Sequence, residues 1–369
     1  MKFSISTAAL NEALSVSTHA LSARSTMPIL EGILIRARDG ELNVICSDGN
    51  MSIDVRTAAT IAEEGSVILP GRLFMDVVRR LPNDECVVTV GINHVAVIRC
   101  GGSRTTLAGK DAEQFPALPH IEGHKSISLP QPLLKNMIQK TSFSISTDET
   151  RKILTGALLE LQNNELSMVA LDSFRLALMT APLNCADTVS AVIPGHLLQE
   201  LVKILSDDDS AFMTITFGAS QMMVQMEDVT IYSTLLEGEY IQYKRIIPTT
   251  AETKVTVLDR SQMELCVDRA ALLAREGKTN LIKLHITHDM MTITSNAEMG
   301  DVYEEVGIDA EGPDLDIAFN VRYIQDVIKV VDDDSFTMNF NSPVSPCVIK
   351  STDESAGYLY MALPVRVNA

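Results

Sequence analysis

At 369 residues the chain exceeds what one hydrophobic core comfortably serves and suits two or three domains. Its apolar fraction of 46% is that of ordinary soluble domains, and no apolar run is long enough to cross a bilayer as a helix. A formal net charge of −18 argues in bulk against nonspecific adhesion to nucleic acid or anionic membranes, a conclusion that depends on where the charges sit.

The first residues alternate, Phe3 and Ile5 against polar neighbours, which predicts a strand rather than the apolar block of a signal peptide, so a cytoplasmic protein is expected. A helix-period stretch over 8–24 follows. The segment "ILEGILIRARDGELNVICSD" (29–48) then reads as a hairpin turning at Asp39 and Gly40. Over 70–81, Pro70 precedes Leu73, Phe74, Val77, Val78 and Leu81, whose spacing makes one apolar stripe of a second helix. Further alternating runs, "CVVTVG" and "HVAVIRC", close the unit.

The same order returns 124 positions later. Ile29, Leu30, Gly32, Leu34, Glu41, Leu42 and Asp48 recur as Ile153, Leu154, Gly156, Leu158, Glu165, Leu166 and Asp172, now around an Asn163-Asn164 turn. Without a gap, 68–81 also falls on 192–205, with Pro70 and Gly71 over Pro194 and Gly195. A more divergent third copy has a hairpin over 281–296 turning at His288 and Asp289, and a helix over 320–331 that matches the first copy at an offset of 250. Three domains are expected, 1–124, 125–249 and 250–369. Each is an α+β unit of two helices packed on antiparallel sheets. Two helices per larger set of strands exclude a Rossmann or barrel enzyme, where strands and helices alternate one for one.

The six helical windows, 8–24, 70–81, 131–140, 195–205, 260–275 and 320–331, hold twelve Lys and Arg against six acids, so they carry +6 and the remainder −24. Basic helices in an acidic chain fit one face meeting a polyanion, or simply solvated helix surfaces. Catalytic signatures are missing: there is no phosphate-binding glycine loop, no nucleophile elbow and no metal-binding helix motif. His285 and His288 fall on opposite faces of an alternating strand. The runs Asp207-Asp208-Asp209 and Asp332-Asp333-Asp334 each follow a second helix and read as solvated turns. The six cysteines are scattered and read as reduced, mostly buried small side chains. Neither a metal nor a cofactor is expected.

The triplicated pattern, the "MKFSIS" start, "LDSFRL" at 171–176, "EGEYIQYKRIIP" at 237–248 and the "LPVRV" tail at 363–367 together resemble the bacterial DNA polymerase III beta subunit family, the sliding clamps, over essentially the whole chain. The resemblance implies a head-to-tail dimeric ring without enzymatic activity that encircles duplex DNA and tethers replicative and repair polymerases. It implies DNA-facing roles for Arg24, Arg72, Arg79, Lys140, Lys152, Lys203 and Lys278. Gly195 and His196, and Lys152 and Ile153, depart from residues common in relatives.

It also implies a peptide-binding pocket for polymerases, the clamp loader and repair factors. The wall would be Arg151, Leu154, Leu171, Ser173, Phe174, Arg175, Leu176, Ile241, Arg245, Ile246, Val344, Pro346, Met361, Leu363, Pro364 and Arg366. Leu154, Leu171 and Leu176 also fit ordinary core. Phe174 stands where relatives often have a more polar ring, and Pro343 and Pro346 stiffen the Val344 edge. The ring joint would pair Leu73, Thr105 and Leu107 with Leu272, Leu273 and Glu304. A triplicated α+β enzyme, or a protein-binding scaffold without a DNA role, are the competing readings.

Overall fold

The computed structural model describes all residues except 23, 25, 122–124, 186, 278–279 and 367–369. Among the described residues six α-helices, besides short 3-10 turns, lie between antiparallel strands: α1 (Thr7–Ser17), α2 (Gly71–Val78), α3 (Gln131–Thr141), α4 (Gly195–Ile204), α5 (Arg260–Glu276) and α6 (Val321–Ile328). By contact density the chain divides into two units, Met1–Pro132 with Lys203–Leu235, and Leu133–Val202 with Leu236–Ala369. The cuts fall inside α3 and α4, so the middle repeat is shared between the units.

The first unit holds two sheets. One has five strands in the order Thr60–Glu63, Lys2–Ser6, Glu85–Val90, Val95–Cys100 and Ser103–Ala108. The other has eight, from Lys125–Pro130 through Phe212–Phe217, Gln221–Gln225, Val229–Thr234, Met51–Ala58, Glu41–Ser47 and Gly32–Arg38 to Gly65–Pro70. The second unit holds one sheet of twelve. It runs Val189–Pro194, Gly156–Gln162, Glu165–Leu171, Arg175–Pro182, Tyr358–Ala362, Cys347–Ser351, Phe336–Phe340, Thr253–Val257, Gly300–Glu311, Met290–Ala297, Leu281–Ile286 and Leu315–Asn320.

Local chemistry accounts for these elements. The hairpin turns at Asp39 and Gly40 (φ 52° and 81°) and at Asn163 and Asn164 (φ 54° and 61°) have both central residues left-handed, the twist that joins adjacent strands, and use residues that tolerate it. The Ser6 hydroxyl accepts from the Ala9 N–H at 3.2 Å to start α1, and Asp259 accepts from the Gln262 N–H at 2.9 Å to start α5. Leu10, Ala13, Leu14 and Ser17 form the buried face of α1. Three helices are shorter than their apolar stripes predict. α1 ends at Ser17 and leaves Arg24 outside any helix, α2 stops at Val78 before a turn at Arg79, and α6 stops at Ile328. Pro70 ends a strand and is the N-cap residue of α2 rather than its first turn.

Both long sheets cross a repeat boundary in one register. In the first unit Val55, Ile53 and Met51 face Val229, Ile231 and Ser233. In the second, Met179, Ala177 and Arg175, each 124 residues further along, face Tyr358, Tyr360 and Ala362. Two strands of the corresponding kinds have one side without a partner strand among the described residues. Ser103–Ala108 ends the five-stranded sheet, and Gly300–Glu311 is paired over its first eight residues only to Met290–Ala297.

Five cysteines are buried and Cys185 is half-buried, all six as free thiols. Burial pushes the Cys46 and Cys86 thiols up to about 12 from an ordinary 9.0, and raises Cys347 as well. The native chain therefore keeps protons that the unfolded chain releases. Stability from these thiols is intact below pH 9 and is lost as pH rises from there, by about 1.4 kcal/mol per pH unit for each group. Urea unfolding is expected to show that alkaline decline, and a flat profile to about pH 10.5 would contradict the burial of these groups.

Candidate functional site

At the ends of three central strands of the twelve-stranded sheet, register brings three segments side by side. Arg175 and Cys347 both face Ala362, so Phe174, Leu363 and Pro346 lie on neighbouring chains just beyond the ladder. The Leu363 N–H donates to the Phe174 carbonyl at 2.8 Å and holds the tail to this edge. Beneath them Leu154, Leu171, Leu176 and Met361 belong to one apolar cluster with Leu158, Val169, Val192, Tyr243 and Val348. Ile153, Tyr240 and Ile247 pack against that cluster, which brings the 237–247 segment over it.

Burial separates the sixteen pocket candidates by role. Leu154, Leu171, Leu176 and Met361 are 0–5% exposed and make a floor rather than an open wall. Phe174, Ile241, Ile246 and Val344 are exposed apolar side chains at the rim, with exposed Arg151, Ser173, Arg245 and Arg366, and half-buried Pro346, Leu363 and Pro364. Such a floor with a mixed rim can take apolar side chains of an extended segment. Arg175 departs from expectation because its guanidinium is buried in ion pairs. Nε donates to Asp172 Oδ2 at 3.0 Å and Nη1 to Asp326 Oδ2 at 2.5 Å. The pair with Asp326 could not be read from the sequence, since that residue lies 151 positions away.

The charged helices also differ from the residue count. Arg80 pairs with Asp76, Arg260 with Glu264, Arg269 with Glu304, and Arg322 approaches Asp326. Lys140, expected to face DNA, is 7% exposed. Its ammonium donates to Asp332 Oδ2 at 2.5 Å and sits 5.7 Å from the centre of the Tyr358 ring. That pairing turns Lys140 inward within its own chain, and its partner Asp332 lies in an exposed turn, as expected, where Asp333 in addition accepts from the Ser351 hydroxyl. Arg24, Arg72, Arg79, Lys152 and Lys203 are exposed, and Lys278 lies outside the described residues.

Among the ring-joint candidates, Leu73 and Leu272 are 52% and 63% exposed, Thr105 and Leu273 are half-buried, and Leu107 is buried on the inner face of its strand. Glu304 accepts from both Nε and Nη2 of Arg269 at 2.6 Å, which lowers the pKa of its carboxyl. Among the described residues no group of three or more His, Cys, Asp or Glu is arranged to hold a metal ion. No helix of the described residues is long and apolar enough to cross a membrane.

Three sequence models, for the N-terminal, central and C-terminal domains of the DNA polymerase III beta subunit, match residues 1–119, 128–242 and 244–366 in that order. The chain belongs to the DNA polymerase III beta subunit family. Among its relatives, the beta sliding clamp of Staphylococcus aureus is 37% identical over 358 residues, 94% of each chain, and that of Staphylococcus epidermidis 36% identical over 377 residues, 99% of each. The sliding clamp of Bacillus subtilis superposes with a TM-score of 0.96 at 35% identity, covering 100% of both chains. A Pseudomonas aeruginosa sliding clamp bound to griselimycin gives 0.94 at 26% identity, also over 100% of both.

Proposed function

We propose that two copies of this chain close head to tail as a ring around duplex DNA and tether DNA polymerases to it without catalysing a reaction, each copy built of domains 1–124, 125–249 and 250–369. The repeated strand register carries this reading. Two repeat boundaries within the chain join strands of the same two kinds, and each copy has one more strand of each kind with an open side, Ser103–Ala108 and Gly300–Glu311. Applied to those strands, the same register sets Thr105 opposite Glu304, and Leu107 opposite Val302, of the second copy. On the helix side, Leu73 of α2 holds the repeat position of Tyr323 in α6, and Met299 that of Phe174. The 52% and 84% exposed side chains of Leu73 and Met299 would thus meet as Tyr323 and Phe174 do. Leu272 and Leu273 extend the apolar centre of the joint.

Arg24, Arg72, Arg79, Lys152 and Lys203 supply cations for phosphates. Retention by encirclement needs only weak contacts, which lets the ring slide. Short peptides of polymerases, the clamp loader and repair factors would dock at the rim around Phe174, Leu363 and Val344, over the leucine floor. The setting is the cytoplasm, with no membrane partner.

The test is retention. The protein is loaded on a nicked circular plasmid by a clamp loader with ATP, then passed through a gel-filtration column in high salt before and after the circle is cut. The complex is expected to survive salt on the circle and to be lost on linearisation. Salt-sensitive binding indifferent to the cut would refute encirclement and leave a scaffold without a topological DNA role. Turnover of a substrate would point instead to a triplicated α+β enzyme.

A further inference from the structure

In the first unit the strand Gly65–Pro70 lies beside a cavity of about 380 Å³. Ile68 and Leu69, 2% and 1% exposed, and buried Gly32 make its floor, with half-buried Ile29 beside them. Exposed Arg72, Lys110 and Glu31 also line it. A space of this size suits a small organic ligand rather than a single ion.

The second repeat closes the same place with a side chain of its own. There Val192, the counterpart of Ile68, is bridged to Leu236, whose N–H donates to the Val192 carbonyl at 2.9 Å. Leu236 packs against the apolar cluster, and its Cδ1 lies 2.8 Å from where a Cβ on Gly156 would stand. In the first repeat Lys110 makes that bridge, donating its N–H to the Ile68 carbonyl at 2.8 Å and accepting the Ile68 N–H at 3.0 Å. The three atoms nearest the corresponding point on Gly32 belong to Ile68, Ile29 and Leu69, not to Lys110. The backbone is thus kept while the leucine becomes a long cation, and a hollow of leucine size is left beside a positive charge.

That charge has no carboxylate of its own. Among the described residues none pairs with the Lys110 ammonium or the Arg72 guanidinium, and Asp76, one turn along α2 from Arg72, pairs with Arg80 instead. Two cations against the single acid Glu31 leave the lining at +1. We propose that this cavity binds a small molecule with a branched aliphatic chain and one carboxylate, the chain filling the place that Leu236 takes in the second repeat and the carboxylate pairing with Lys110 and Arg72. Burial of the chain removes apolar surface from water, and a charge-assisted hydrogen bond is the stronger kind. The cavity also reaches Leu73, a partner contact in the ring proposed above, so an occupant lies beside that joint, but the inference stands on the single chain and not on the ring.

The test uses the full-length protein carrying ¹³C-labelled isoleucine methyl groups, titrated with 4-methylpentanoate, with its uncharged amide and with acetate. The signals of Ile29 and Ile68 are assigned from Ile29→Val and Ile68→Val. Both are expected to shift saturably with 4-methylpentanoate, with a midpoint on the order of 1 mM, which a ligand of this size permits. The amide lacks the charge and acetate lacks the chain, so each should bind roughly tenfold more weakly or worse. Lys110→Gln should raise the midpoint for 4-methylpentanoate roughly tenfold. Lys110→Leu, which gives the first repeat the residue of the second, should abolish the shifts by filling the hollow. Unmoved signals from the other isoleucines verify the fold, and should Lys110→Leu not fold, Lys110→Gln decides. No saturable shift at Ile29 and Ile68 overturns the proposal, even if signals elsewhere move. Equal binding of the amide would mark an unselective apolar dent and overturns it too, as does an unchanged midpoint in Lys110→Gln.

Discussion

Cysteines placed at Thr106 and Tyr303 are expected to join two copies into one covalent ring when treated with a short bismaleimide. The register that sets Thr105 opposite Glu304 sets Thr106 opposite Tyr303 of the second copy, and both side chains are exposed in the single chain, so neither change disturbs a core. Directly opposed residues of an antiparallel pair bring their Cβ atoms to about 5 Å, within reach of a short linker. Denaturing electrophoresis should show a species of twice the chain mass, absent from either single variant. Once linked on circular DNA, the ring has no opening step, and its loss from the circle should fall below detection while cutting the DNA still frees it. A ladder of higher multimers would instead mean that the two edges assemble as an open filament and would sink the ring.

Tyr360→Ala is expected to cost about 3–5 kcal/mol, the range for truncating a large aromatic in a core that cannot collapse. Tyr360 is 0% exposed, lies in the strand that joins Arg175–Pro182 to Cys347–Ser351, and its ring centroid is 5.7 Å from that of Phe143. Its hydroxyl donates to the Tyr323 carbonyl at 3.0 Å. Tyr360→Phe keeps the ring and removes only that donor, for a smaller cost of about 1–2 kcal/mol. Urea unfolding separates the two variants. Equal costs would mean that the hydroxyl, not the ring, secures the strand.

Local periodicity carried much of this architecture. The turns at Asp39 and Gly40 and at Asn163 and Asn164 fall where the residues permit left-handed backbone, and the turn at His288 and Asp289 separates Leu281–Ile286 from Met290–Ala297. Helix ends were less legible, because apolar spacing continues through Leu81 and Val331 after the hydrogen-bonded helix has stopped. At the candidate site, the segments singled out from the sequence lie side by side, but the state of their charges was not legible. Lys140 and Arg175 look like available cations. Each is neutralised by an aspartate 192 or 151 residues away, a distance over which a sequence pattern carries no signal. The leucines posed the converse problem, since Leu154 and Leu176 share their pattern with core positions, and core is where they lie.

The sheets that run through the repeat boundaries have a further consequence. A polypeptide ending after residue 242, where the central family match stops, would lack Tyr358–Ala362 and bare the whole edge of Arg175–Pro182, including the ladder to Leu176, Ala177 and Leu178. Unpaired edges of that length invite aggregation. Contact density says the same by dividing the middle repeat between two units. A fragment prepared for solution work should therefore be cut where the sheets end rather than where the sequence match ends.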